Sequence, residues 1–342
     1  MQNFTTFLNQ YSSYYFKQKV KHLILHVTNH CNFRCSHCFV DFVNPKKDMS
    51  LEDYKNISKD VNDLFWLDIG GGEPFLRKDL YKIVNLFKKQ VVSIPTNGWL
   101  KSNICEQIAQ MDSKNSEIVI SLSLDGLEKT HNIVRKNPNS WNKVWEAYEE
   151  LKKIKYIKVR FITVIHDGNY DEIIPLMKIV KNSGADFHSV ILLRGDPLDN
   201  TVKLPSFEKL DKLAVKMFDI LETYNYGENN FTANLLKNYH RYLWKVSLET
   251  IKKETQIVPC LAGKSHMVVW GDGRVASCEM LPEVGNLKEK PLSQILESQE
   301  LKEQVKSINN KKCHCTHNCA MITSVLYNPK KWPNIIYQKK PN

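Results

Sequence analysis

Cys31-Asn32-Phe33-Arg34-Cys35-Ser36-His37-Cys38 sets three cysteines at CxxxCxxC spacing directly after an apolar run. In so short a loop three thiolates can converge on one soft metal centre, because sulfur ligands select zinc, copper(I) or iron–sulfur clusters. Three ligands are one too few for a sealed structural zinc site. A centre held by three keeps a coordination position open for substrate or cofactor. A zinc knuckle is the alternative reading of the same residues.

Outward from the loop, strand and helix patterns alternate. His22 to Thr28 reads as a strand, and Leu51, Tyr54, Ile57, Val61 and Leu64 mark one helix face, with Ser50 as N-cap and Asp53 as capping-box partner. Phe65 to Ile69 reads as the second strand, ended by Gly70-Gly71-Gly72. A helix over Lys78 to Lys89, a strand over Val91 to Ile94, a helix over Lys101 to Met111 and a strand over Glu117 to Leu124 follow. Trp141, Val144, Trp145, Tyr148 and Leu151 mark another buried helix face, and strands at Ile157 to Ile165 and Phe187 to Leu193 flank a helix over Asp171 to Lys181. Six βα-type units with apolar strands and short connections predict an α/β fold, a partial (β/α)6 barrel of TIM type. Such barrels carry their active sites at the C-terminal ends of the strands. The cysteines follow the first strand, the glycines the second, Thr96-Asn97-Gly98 the third and Asp125 the fourth.

The rest of the chain divides around this barrel, expected over 21–200. An extension over 1–20, rich in aromatics (Phe4, Phe7, Tyr11, Tyr14, Tyr15, Phe16), reads as a short helix packed on the barrel. A bridge over 201–256 reads as two helices, the second from Phe231 to Lys253. A small cysteine-rich α+β domain over 257–342 opens with a hairpin, His266 to Trp270 and Arg274 to Cys278 around Gly271-Asp272-Gly273, and continues with a helix over Leu292 to Val305.

Three further groups carry chemistry. The glycines allow close backbone approach to a ligand and Glu73 sets a carboxylate beside them, although a plain turn would also use them. Ser121, Ser123 and Asp125 alternate and so share one strand face, either lining a site or packing. Cys260, Cys278, Cys313, Cys315 and Cys319 form a second thiol group, with His314 and His317 beside it either as extra ligands or in exposed or backbone-bonded roles.

The cysteine loop, Gly71-Gly72-Glu73-Pro74 and the run from Cys260 to Cys319 together resemble the radical S-adenosylmethionine (SAM) superfamily with an auxiliary-cluster module of the SPASM or twitch type. Several things follow from that resemblance. Cys31, Cys35 and Cys38 would hold a 4Fe-4S cluster whose fourth iron binds SAM, and His37, where the family usually has Tyr or Phe, would pack beside adenine. Gly71, Gly72 and Glu73 would take the SAM amino group, Ser123 and Asp125 the ribose hydroxyls and Arg135 the carboxylate, with Thr96 and Asn169 as weaker candidates. Cys260, Cys278, Cys313, Cys315 and Cys319 would supply the ligands of a second 4Fe-4S cluster. Here the chain departs from the full SPASM pattern, since CxCxxxC is compressed and no cysteine follows Cys319. Five thiolates do not complete two clusters, so one auxiliary cluster with a spare cysteine is the economical count. The implied reaction is reductive cleavage of SAM to a 5'-deoxyadenosyl radical that abstracts hydrogen from a substrate, with the auxiliary cluster aiding oxidation or bond formation. The implied electron donor is a flavodoxin or ferredoxin. The extension is shorter than a leader-peptide-binding domain, which favours a sugar, aminocyclitol or nucleoside-like small molecule over a ribosomal peptide. A non-catalytic iron–sulfur or zinc-binding module would need neither the GGEP turn nor a barrel mouth.

Composition narrows the setting. The 342 residues and 42% apolar content suffice for a sizeable core. No apolar run is long enough to span a membrane and the N-terminus lacks a signal-peptide pattern, so a cytoplasmic address is expected. Nine cysteines in two clusters plus Cys105 suit metal binding in a reducing compartment, with Cys105 as a small buried apolar residue. The net charge of +11 is spread along the chain without a basic block, which speaks against a nucleic-acid partner and leaves an acidic electron donor in play.

Overall fold

The computed structural model describes residues 11, 12, 14, 20–40, 47–226 and 230–337. Strand β1 (His22–His26) leads into the cysteine loop, and β2 (Leu64–Gly70), β3 (Lys89–Thr96), β4 (Glu117–Ser123), β5 (Ile157–Ile165) and β6 (Phe187–Leu192) follow. Each pairs in parallel with the strand before it, the topology of six βα units. The connections hold α1 (Leu51–Asp60), α2 (Leu80–Leu86), α3 (Lys101–Ile108), α4 (Glu128–Arg135), α5 (Ser140–Leu151) and α6 (Ile173–Asn182). At the start of α1 the capping box is complete: Ser50 Oγ accepts from Asp53 N, and Ser50 N donates to Asp53 Oδ2 at 2.7 Å.

Side chains alternate across a strand, and here the two faces differ in kind. Leu23, Leu25, Leu67, Ile94, Ile120 and Phe161 point outward into one large core under the helices. The opposite face carries His22, His26, Asp68, Ser93, Ser121 and Arg160. The strands are therefore not uniformly apolar as a fully covered sheet would have them, because their inner face lines a polar lumen. Helix α4 escaped the sequence reading because its buried face is His131, Val134 and Arg135, which shows no aliphatic stripe. Lys89, expected to end a helix, instead opens β3 and is 5% exposed.

Helices α7 (Phe207–Leu221) and α8 (Asn230–Lys253) form the bridge. His240 of α8 stacks on Phe187 of β6 at 4.9 Å, which sets this helix against the last barrel strand. The cysteine-rich segment then returns to the first strand. β7 (His266–Val269) pairs in parallel with β1, with His22 opposite His266, and β8 (Arg274–Ala276) and β9 (Gly285–Asn286) add antiparallel partners. The expected hairpin is present, and through β7 it continues the barrel's own sheet. The helix expected over Leu292 to Val305 is two, α9 (Leu292–Leu296) and α10 (Gln299–Asn309), because Ser298 caps the second by accepting from Leu301 N. Helices α11 (Asn318–Leu326) and α12 (Trp332–Ile336) complete the fold. Most of the N-terminal extension lies outside the described residues. Of the rest, Tyr11 lies 5.1 Å from Trp332 and Tyr14 4.5 Å from Tyr327, so these two rings meet the C-terminal segment. Among the described residues no helix is long and apolar enough to cross a membrane.

Because Met267, Val269 and Val275 share the core of Leu23 and Leu25, the barrel depends on the cysteine-rich segment. A chain truncated after Lys253 loses roughly 1.5–3 kcal/mol for each of these side chains and exposes the β1 edge. It should lack the cooperative melting transition of the full chain. Melting at the full-length temperature would show the two parts to be independent.

Candidate active site and metal centres

The turn after β2 lies directly on the cysteine loop. Gly72 N donates to Thr28 O at 2.7 Å and Glu73 N to His30 O at 2.9 Å. A Cβ on Gly71, whose φ is +124°, would stand 2.2 Å from Thr28 O, and one on Gly72 2.0 Å from His30 O. The close approach legible in the glycines is thus made by the chain's own backbone. Within the loop, Phe33 N donates to Cys31 Sγ at 3.3 Å, Cys38 N to Cys35 O at 3.1 Å, and Arg135 Nη1 to Cys35 Sγ at 3.6 Å. Burial, with smaller contributions from the charges of Glu73, Cys35 and Cys38, pushes the Cys31 thiol up to about 12. Three gathered sulfurs whose thiolates repel one another, with N–H groups aimed at two of them, suit a soft cationic cluster that would relieve that repulsion.

Glu73 is 2% exposed. Its Oε1 accepts from Thr96 Oγ1 at 2.8 Å and Phe75 N at 3.3 Å, and its Oε2 from Asn97 N at 2.8 Å. Burial lifts its carboxyl to about 7 against these hydrogen bonds. Asn97 also donates from Nδ2 to Asn32 Oδ1 at 2.8 Å, tying the end of β3 to the cysteine loop.

Asp125 is fully buried beyond β4. One oxygen accepts from Val164 N at 3.0 Å and the other pairs with Arg135. Burial opposes ionisation, yet Arg135 beside it, helped by His37 and His131, holds this carboxyl well below the usual range. Asn169 braces the same corner, donating to Asp125 O at 3.0 Å and Val164 O at 2.9 Å. His37 lies 3.9 Å from Asp125 and 6.2 Å, ring to ring, from His166, and burial lowers it to about 4, so it is neutral at pH 7. Arg135 Nε is buried without a partner among the described residues, as is His37 Nδ1. Ser123 ends β4 half-buried on the inner face. Cys105 is half-buried against the large core, the apolar role expected of it.

Several charged residues that the sequence reading passed over line the lumen. Asp68 bonds His22 Nε2 at 2.9 Å and Trp66 Nε1 at 3.0 Å, and Arg160 donates to Ser121 Oγ at 2.7 Å and Ser93 Oγ at 3.1 Å. Glu279, next to Cys278, accepts from His26 at 2.7 Å, pairs with His317 and lies 3.6 Å from Arg194. A charge inside an otherwise apolar strand, Asp68 alone in β2 and Arg160 beside Lys158 in β5, was the signal that could have found them.

The C-terminal cysteines do not all face one way. Cys260, Cys313 and Cys315 line one cavity, and Cys278 packs with Cys260 and Cys313 around Ala262 and Ile308. Cys319 instead directs its sulfur to Asp68 Oδ2 at 3.3 Å. His317 spends both ring nitrogens, on Glu279 and on Ala320 N at 3.4 Å, whereas His314 is exposed beside the cavity.

Comparison with known proteins finds two family models along the chain. Residues 25–180 match the model of the Radical SAM superfamily and residues 260–320 that of an iron–sulfur cluster-binding domain, SPASM. The chain is 24% identical to an AdoMet-dependent heme synthase of Methanosarcina barkeri, covering 84% of this chain and 85% of that one. It is 25% identical to a GTP 3',8-cyclase of Campylobacter jejuni subsp. doylei, over 81% and 92%. In fold it is similar to Streptococcus suis SuiB bound to S-adenosylmethionine, at a TM-score of 0.61 and 18% identity over 89% and 71% of the chains. It is also similar to anSMEcpe bound to AdoMet and a peptide, at 0.60 and 19% over 92% and 97%.

A Gly72→Ala chain has no room for its new methyl against His30 O and must push the cysteine loop aside. After anaerobic reconstitution it should keep the auxiliary iron but lose that of the first site, about half the total for two four-iron clusters. Full iron content in this variant would mean that the loop does not depend on the turn.

Proposed function

For a chain that belongs to the radical SAM superfamily and carries a SPASM domain, we propose a reaction on a small, polar molecule seated in the barrel lumen, of the sugar, aminocyclitol or nucleoside class. The polar lumen is the observation that carries this reading. Asp68, Arg160, Ser93 and Ser121 face inward below, and Arg194, Glu279 and His26 stand nearer the mouth. Groups of both signs in one enclosure favour hydroxyl, amino and anionic substituents and penalise an apolar chain. The relatives named as a GTP cyclase and a heme synthase agree with a non-peptide substrate. A peptide-modifying activity is the second reading, prompted by SuiB with its precursor peptide, where the likeness is of fold alone.

Cys31, Cys35 and Cys38 hold the first cluster, and the backbone of Gly71 and Gly72 with the Glu73 carboxylate receives the SAM amino group. Arg135 offers its unpartnered Nε to the SAM carboxylate. Asp125, expected at the ribose hydroxyls, is instead fully buried with one oxygen on Val164 N and the other on Arg135, and acts through Arg135, whose orientation it fixes, while Ser123 and His37 border the space for ribose and adenine. When bound, SAM supplies a 5'-deoxyadenosyl radical that can take hydrogen from an unactivated C–H bond. The cysteines after β6 serve an auxiliary cluster that aids oxidation or bond formation, and a flavodoxin or ferredoxin is the expected electron source.

The anaerobically reconstituted protein, given dithionite and SAM, should form 5'-deoxyadenosine, faster in the presence of its substrate class. Zinc in place of iron and no 5'-deoxyadenosine would overturn the reading. Since burial sets Glu73 near 7 in the SAM-free protein, and only its ionised form pairs with an ammonium, SAM affinity should weaken as pH falls below about 7. Glu73→Gln should bind SAM about tenfold or more weakly at pH 8, from a charge-assisted hydrogen bond of roughly 1.5–3 kcal/mol, and show a flat pH profile with both clusters in place. Calorimetric titration giving wild-type affinity and pH dependence would place the amino group elsewhere.

A further inference from the structure

The five cysteines of the C-terminal segment fall on two sides of helix α11. Ala320 and Ser324, one turn apart, line the cavity that Cys260, Cys313 and Cys315 share, and Ser324 Oγ accepts from Leu261 N at 3.0 Å, next to Cys260. Gln256 ties the same thiols together: its Oε1 accepts from Cys260 N at 3.1 Å, and its Nε2 donates to Cys313 O and Ile308 O, both at 2.9 Å. Cys278 completes the group, packed with Cys260 and Cys313. Cys319 and Thr323, also one turn apart, occupy a different face, about 100° around the helix at 3.6 residues per turn. That face looks into the barrel, where Cys319 meets Asp68 Oδ2 at 3.3 Å and Thr323 Oγ1 meets His266 Nδ1 at 3.1 Å. Turning Cys319 toward the other thiols would rotate α11 and break the Thr323–His266 and Ser324–Leu261 bonds as well as the His317 cap on Ala320 N.

We infer that Cys260, Cys278, Cys313 and Cys315 alone ligate the auxiliary cluster and that Cys319 is a free thiol presented to the barrel lumen through Asp68. Four thiolates give each iron of a four-iron cluster its protein ligand, so the auxiliary cluster has no open iron for a substrate. Its part is then confined to electron transfer; this inference rests on the two-cluster reading.

The test uses the full chain carrying Cys31→Ala, Cys35→Ala and Cys38→Ala, so that only auxiliary iron remains, reconstituted anaerobically and assayed for iron, sulfide and the electron paramagnetic resonance spectrum after reduction. About four irons per chain are expected in this parent. Cys319→Ser, which keeps a hydrogen-bond donor for Asp68, and Cys319→Ala should both retain that iron and the same g-values. Cys260→Ala, Cys278→Ala, Cys313→Ala and Cys315→Ala should each lower the iron content or alter the spectrum. Loss of iron or a changed spectrum in soluble Cys319→Ser, or an unchanged cluster in Cys313→Ala, would overturn the ligand assignment while leaving two clusters standing. A parent without iron would overturn the assignment together with the two-cluster reading.

Discussion

The contact on which the site depends is one of backbone on backbone. The turn after β2 and the loop after β1 approach so closely that neither Gly71 nor Gly72 has space for a Cβ, and each hydrogen bond between them uses main-chain atoms only. Backbone contacts of this kind leave little positional slack, since no rotamer can take up a shift. Asn97 adds a second tie from β3 through Asn32, and Arg135 a third from α4 through Cys35. Three successive βα units thereby converge on one short loop, which positions three thiols that burial would otherwise disfavour as thiolates.

Charge in the interior is handled by pairing. Asp125 and Arg135 are a buried ion pair, and removing either partner alone would strand the other at a cost of roughly 3–5 kcal/mol. The same rule holds in the lumen, where Asp68 has His22 and Trp66, Glu279 has His26 and His317, and Arg160 has two serines. The polar partners come from different strands and from the cysteine-rich segment, so the lumen is built only when the whole sheet is.

That segment is joined to the barrel at two levels. β7 extends the sheet next to β1, and α11 brings Cys319 and Thr323 against its inner face while Ala320 and Ser324 serve the thiol cavity. One helix thus contacts both the barrel lumen and the thiol cavity, and Glu279, adjacent to Cys278, reaches His26 of the barrel by a parallel route.

The sequence by itself determined the order of strands and helices, because apolar periodicity and turn residues are local. It also determined the two cysteine groups, since ligand type and spacing lie within short segments, and Glu73 at the end of β2. It could not show that Gly71 and Gly72 yield to the backbone of Thr28 and His30, that Asp125 faces Arg135, or that Asp68, Arg160 and Glu279 share a lumen. Apart from Asp125 and Arg135, ten positions apart and joined by the packing of α4, those facts link residues tens to hundreds of positions apart, and only the curvature and register of the sheet bring them together. Likewise the spacing of Cys313, Cys315 and Cys319 is silent on direction: a helix starting at Asn318 turns Cys319 away from the sulfur atoms it follows, and that rotation belongs to the packing of α11.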